Sequence, residues 1–132
     1  MDEREFKRRT KQLALDVIVL VEGLPTSTTR RVIATQLLRS ATSVGANYRA
    51  SCRGRSVEEI IAKLSIVEEV GDETMYWLEL LQEARLAPTA AVGPIWDQAN
   101  QVVAMVVASK KTLKARIHVK SFANPAIVNR ES

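Results

Sequence analysis

Apolar residues recur along this chain at steps of three and four, the spacing that puts side chains on one face of an α-helix. Phe6, Leu13, Val17, Leu20 and Leu24 share one stripe, and Ala14, Ile18 and Val21 widen it. They predict a helix over about 3–22, ended by Gly23-Leu24-Pro25. Ile33, Leu37, Ala41, Val44 and Tyr48 predict a second helix over about 28–53, with Ser27 as N-cap and Gly54 beyond its end. This helix is rich in small residues: Ala34, Ser40, Ser43, Gly45, Ala46 and Ala50. Glycine costs about 1 kcal/mol against alanine inside a helix, so Gly45 implies that a neighbouring helix crosses closely there.

The third helix carries the most regular pattern. Ile60, Leu64, Val67, Gly71, Thr74, Leu78 and Leu81 alternate steps of four and three, as a bundle seam does. Ile61, Val70, Trp77 and Ala84 run beside it. The predicted span is about 57–86, opened by a capping box in which Ser56 accepts from the Glu59 N–H and Glu59 reaches back. The fourth helix is expected over about 90–115. It starts at Ala90 or at Pro94, because proline fits only near a helix start. Its stripe is Ile95, Ala99, Val102, Val106 and Leu113, broadened by Trp96, Val103 and Val107. Residues 116–132 lose the period, and a mobile or extended tail is expected.

Four amphipathic helices joined by short connections define an all-α, up-down-up-down antiparallel four-helix bundle over residues 1–115, with 116–132 as tail. Some helices are apolar more widely than one seam requires. Ile18, Val21, Ile61, Trp77, Trp96 and Val103 form a surplus that gives a motive for subunit association, so a homo-oligomer is expected.

Composition agrees with helix packing: 46% of residues are hydrophobic but only 5% aromatic. A chain of 132 residues buries roughly two-thirds of its unfolded surface and needs no disulfide or metal to fold. Its single Cys52 cannot form an internal bridge, which suits a reducing compartment. Residues 1–11 mix Asp2, Glu3 and Glu5 with their basic groups and precede no signal-peptide core. No apolar run is long enough to span a bilayer, so a cytoplasmic protein without membrane association is expected.

The net charge of +4 conceals segregation. Residues 28–56 carry +6, residues 57–86 carry −6 and residues 87–132 carry +4. Two clusters stand out, Arg49, Arg53 and Arg55 near the end of the second helix, and Lys110, Lys111, Lys114 and Arg116 near the end of the fourth. In an up-down bundle these helices run parallel, so both clusters should share one pole. A basic pole attracts phosphate backbones through counterion release. Nothing in the pattern suggests base-specific reading.

Enzymatic chemistry has little to build on. The only histidine, His118, falls in the expected tail. P-loop, dinucleotide-binding and nucleophile-elbow motifs are missing. Glu68 and Asp72, and Glu69 and Glu73, are i, i+4 carboxylate pairs, but a bundle di-metal site also wants Glu-x-x-His. No metal site and no cofactor are therefore expected. The acidic pairs are expected to meet arginines of the second helix, with Arg39, Asn47, Glu68 and Glu69 forming an inter-helix polar network that fixes register. The arginines around Cys52 could depress its pKa, although an inert thiol is the plainer expectation.

The run SATSVGANYRASCRGRSVEEIIAKLSIVEEV, followed by DETMYWLELL, resembles the bacterial four-helix bundle proteins related to the large-subunit rRNA intervening-sequence proteins. Arg39, Ser43 and Asn47 match the R-x-x-x-S-x-x-x-N pattern of one helix, and Ser56, Glu68, Glu69 and Glu79 match the Ser-capped acidic helix that follows. The likeness is specific over residues 36–86. Where the commoner pattern continues Ile-Ala-Glu-Gly, this chain has Tyr48-Arg49-Ala50-Ser51, which places it in a side branch. The accessory protein of diversity-generating retroelements, a basic ring-shaped homopentamer that binds nucleic acid and a reverse transcriptase, is similar in architecture. The resemblance implies a bundle, a ring-like oligomer and contact with RNA or DNA, without catalysis. The functional expectation is a nucleic-acid-associated accessory or scaffold. The alternative is an adaptor for a protein partner such as a polymerase.

Overall fold

The computed structural model describes residues 2–123, and side chains as far as His118. Four helices account for nearly all of it: α1 (Glu3–Glu22), α2 (Thr28–Ser51), α3 (Val57–Glu83) and α4 (Thr89–Ala123). Among the described residues there is no strand. Each helix packs against its neighbours in chain order, and α1 closes the square against α4. Neither diagonal pair is in contact, so this is the antiparallel up-down-up-down bundle.

The predicted stripes are the core. Phe6, Leu13, Val17 and Leu20 of α1 are buried, as are Ile33, Leu37, Ala41, Val44 and Tyr48 of α2. The α3 seam is buried from Leu64 to Leu81, with Gly71 and Thr74 within it. α4 contributes Val92, Ile95, Ala99, Val102 and Val106.

Local chemistry sets the helix ends. Asp2 accepts from the Glu5 N–H at 2.8 Å, Ser27 from Arg30 at 3.1 Å and Ser56 from Glu59 at 3.1 Å, each satisfying an otherwise free donor. Between α2 and α3, Gly54 is needed for space rather than for a left-handed backbone. A Cβ there would lie within 3.1 Å of the Ser51 carbonyl oxygen and closer still to the Ile60 side chain. α3 ends earlier than its pattern suggests. Arg85 adopts φ 58°, and the Leu86 N–H bonds the Leu81 carbonyl at 2.8 Å while Arg85 N–H bonds Gln82 at 3.0 Å. That is a Schellman ending, in which Leu86 folds back towards Leu81 instead of continuing the helix.

α4 begins at the earlier of its two expected starts and runs past its expected end. It is continuous from Thr89 through Pro94. Proline removes one helical hydrogen bond in the second turn, but fully buried Val92 and nearly buried Ile95 anchor the turns on either side. At the other end the helix runs to Ala123, so residues 116–123 are helical rather than extended. The apolar period in fact continues, with half-buried Leu113 and Ile117 four residues apart, and the first breaker is Asn124-Pro125. The expected tail from 124 onward lies outside the described residues.

Candidate functional site

One end of the bundle gathers the start of α1, the end of α2, the start of α3 and the later turns of α4 around an open cleft of about 760 Å³. α1 supplies only Glu3 and Phe6, whereas α4 presents three turns, from Met105 to Arg116. The cleft floor is the Phe6–Tyr48 pair, stacked at 4.0 Å and 4°. Ser51, buried beside them, donates its hydroxyl to the Tyr48 carbonyl at 2.6 Å. Burial, and then its contact with Cys52, pushes the Tyr48 phenol above the usual tyrosine range.

Cys52 lines the same cleft. Its thiol is pushed up, first by burial and then by the Glu3 carboxyl beside it. The nearby arginines do not activate it. They point to solvent, while the thiol faces the cleft.

The two basic clusters share this pole. Arg49, Arg53 and Arg55 are exposed at the end of α2 and in the following turn. Lys111, Lys114 and Arg116 are exposed on α4, with Arg116 on the cleft wall. Lys110 is different. Its ammonium bonds Glu68 of α3 at 3.1 Å and its side chain is only 16% exposed, so it joins α3 to α4 rather than facing a ligand. Arg30 and Arg31 lie at the far end of the bundle. Arg30 is occupied there, donating to the Leu86 carbonyl at 2.9 Å.

The expected polar network is not formed. Asn47 donates to the Ser43 carbonyl of its own helix at 2.9 Å, and Ser43 donates to the Arg39 carbonyl at 2.6 Å. Glu68 faces α4, while Arg39 and Glu69 are exposed on the outside of α2 and α3. No ion pair links α2 to α3 among the described residues. The reason is angular: Thr74 takes a position that meets α2, Gly71 faces α4, and the acids near them point to α4 or to water. The actual polar link is Thr74 to Ser40, 3.1 Å apart and buried. Sequence reasoning placed both on packed faces but did not pair them. α1 meets α4 through polar groups, Arg9 to Gln101 at 3.1 Å and Gln98 to Asp16 at 2.8 Å.

The small-residue reading of α2 holds only in part. Gly45 does face Thr10 of α1, but an added Cβ would sit at an ordinary 3.4 Å. The tight crossing is between α3 and α4, where a Cβ on Gly71 would come within 2.7 Å of a Val103 methyl. Four members of the apolar surplus are used internally, two of them, Val21 and Trp77, by packing against the core. Val103 packs over Gly71, and the Trp96 indole N–H donates to Glu79 at 2.9 Å. Ile18 remains exposed, together with Leu15 and Val19, at i, i+3 and i+4 on the outer face of α1.

Among the described residues no three His, Cys, Asp or Glu side chains converge as a metal site would require. Within the same limits, no helix is long and apolar enough to cross a membrane. His118 lies in α4 rather than in a tail.

The arrangement defines an all-α bundle whose chemistry is concentrated at one cationic, cleft-bearing end. Comparison with known proteins assigns its lineage. The 23S rRNA-intervening sequence protein family matches residues 3–108, and the chain belongs to that family. A crystal structure of a protein of unknown function from the S23 ribosomal protein family of Bacteroides thetaiotaomicron is similar, at 28% identity and TM-score 0.78, covering 84% of this chain and 99% of that one. No protein of curated function matches.

Proposed function

We propose that this protein is a non-enzymatic accessory or scaffold that associates with nucleic acid through the basic pole of its bundle. The observation that carries the reading is the convergence of six exposed cations, Arg49, Arg53, Arg55, Lys111, Lys114 and Arg116, from two helices onto one end. Asp2, Glu3, Glu58 and Glu59 lie at the same end and offset part of the field, so modest, salt-sensitive affinity is the expectation. Membership of an rRNA-linked family supports the same direction. A cytoplasmic location belongs to this proposal.

A salt titration tests it. Each phosphate contact steepens the fall of log affinity with log salt by about 0.7 to 0.9. Labelled RNA and DNA should bind more weakly as salt rises, and the double variant Lys111→Ala, Lys114→Ala should make the slope shallower by one or two such steps. Affinity indifferent to salt and to these lysines would refute the proposal.

We further propose a ring-like homo-oligomer, with five copies as the first expectation from the architectural likeness. The exposed Leu15, Ile18 and Val19 stripe supports burial against another copy. Mass measurement in solution decides this. A second reading, an adaptor for a protein such as a polymerase, is favoured by α3. There Tyr76 is 54% exposed, near the exposed Asp72 and Glu73. That reading predicts a protein partner whose capture survives nuclease treatment.

A further inference from the structure

The cleft at the basic pole has a composition that a phosphate-binding surface alone does not need. Phe6, Tyr48, Met105 and Leu113 give it apolar walls, while Thr112 and Ser109 place hydroxyls among them. Glu3 and Arg116 stand at the rim with opposite charge. Its volume of about 760 Å³ falls in the range of small-molecule sites. Such a lining suits a flat ligand with apolar faces and hydrogen-bonding edges.

We propose that the cleft receives an unpaired base of a single-stranded nucleic acid whose backbone lies along Arg53 and Arg55, which follow Cys52 of the lining, and Arg116 at the rim. The inference rests on the nucleic-acid reading above and adds the strandedness of the ligand. In a duplex the bases are held in the stack and their edges are paired, so nothing can drop into a recess at the end of a bundle. In a single strand a base turns out freely, and its transfer from water to an apolar wall adds to the phosphate contacts. Burial and the neighbouring Glu3 keep the Cys52 thiol protonated, which leaves Glu3 as the anionic group of the lining, matched by the cationic Arg116. Arg116, exposed and on the cleft wall, can lie over a base face as well as pair with a phosphate.

The experiment compares labelled single-stranded RNA and DNA oligonucleotides with blunt duplexes of the same sequence, by fluorescence anisotropy at fixed salt. The full-length protein should bind the single strands about tenfold more tightly than the duplexes, the order expected for one accommodated base. Thr112→Trp fills the cleft from a solvent-exposed position on α4. It should lower single-strand affinity to the duplex level and leave duplex affinity unchanged. A readout on the unaltered protein guards against a folding defect in that variant: single-stranded oligonucleotide should slow labelling of Cys52 by a thiol reagent, and duplex should not. Equal affinity for both forms, with no protection of Cys52, would overturn the cleft assignment and leave the basic-pole reading standing. No binding of either form at low salt would overturn both.

Discussion

The hydroxyl oxygens of Ser40 and Thr74 lie 3.1 Å apart in the core between α2 and α3. Each also lies near a carbonyl of its own helix, Ser40 at 3.1 Å from Leu37 and Thr74 at 2.8 Å from Val70. Two protons serve three acceptor contacts, so one bridges the helices while the other is returned to a backbone carbonyl. Neither group is stranded, and the pair marks the register of an otherwise apolar seam. Thr74→Val should cost about 1 kcal/mol, the usual worth of a buried neutral hydrogen bond. The double variant Ser40→Ala, Thr74→Val should cost less than the sum of the two single changes. Urea denaturation of the four proteins in the cycle measures the coupling, and strict additivity would show that the contact contributes nothing.

Two of the helix-interior glycines, Gly71 and Gly45, should respond with opposite sign. At Gly71 the added methyl would collide with Val103, and overpacking of that kind costs about 1–3 kcal/mol against about 1 kcal/mol of helix propensity gained. Gly71→Ala is therefore expected to destabilise, and adding Val103→Ala should recover the loss. Gly45 has room against Thr10, so Gly45→Ala should stabilise by up to about 1 kcal/mol. Thermal melts compare them directly.

Arg85 occupies the left-handed region at φ 58°, where a Cβ costs about 1–2 kcal/mol. Glycine removes that cost but gains freedom in the unfolded chain, which returns part of it. Arg85→Gly should raise stability by about 0.5–1 kcal/mol, seen as a higher urea midpoint at unchanged slope.

The α1 N-terminus carries an acid-sensitive contact. Hydrogen bonds from Arg8 and then Arg9 hold the Glu5 carboxyl at about 2, below its ordinary 4.5. The folded form thus releases this proton more readily than the unfolded form, and the contribution to stability is present above pH 4.5 and lost as pH falls towards about 2. Glu5→Gln should lower the melting temperature at neutral pH and converge with the parent near pH 2. A carboxyl NMR titration of Glu5 gives the same midpoint independently.

The core was legible because burial imposes a period. The α3 seam is buried from Leu64 to Leu81 as its spacing requires, and Ser27 and Ser56 cap the helices they precede. Helix ends were less legible. Leu86 lies within the expected span of α3, yet it follows the Schellman turn at Arg85 and packs against the core from outside the helix. Beyond Ala115, the described side chains give the helix one half-buried position, Ile117, to announce it. At the pole, topology alone predicted that the two cationic clusters would meet. It could not reveal that Lys110 belongs to Glu68, nor that a cleft opens at the same end. Pairwise choices of this kind depend on rotation about the helix axis by less than one residue step, which periodicity does not resolve.

The contact of α1 with α4 has a consequence for how the bundle breathes. Its polar side-chain links pair the Arg9 guanidinium with the Gln101 amide and the Gln98 amide with the Asp16 carboxylate near the surface, and water replaces such bonds at little loss. Opening along that edge would leave α1 held by its packing on α2. Amide protons of α1 should therefore exchange with deuterium sooner than those of α3.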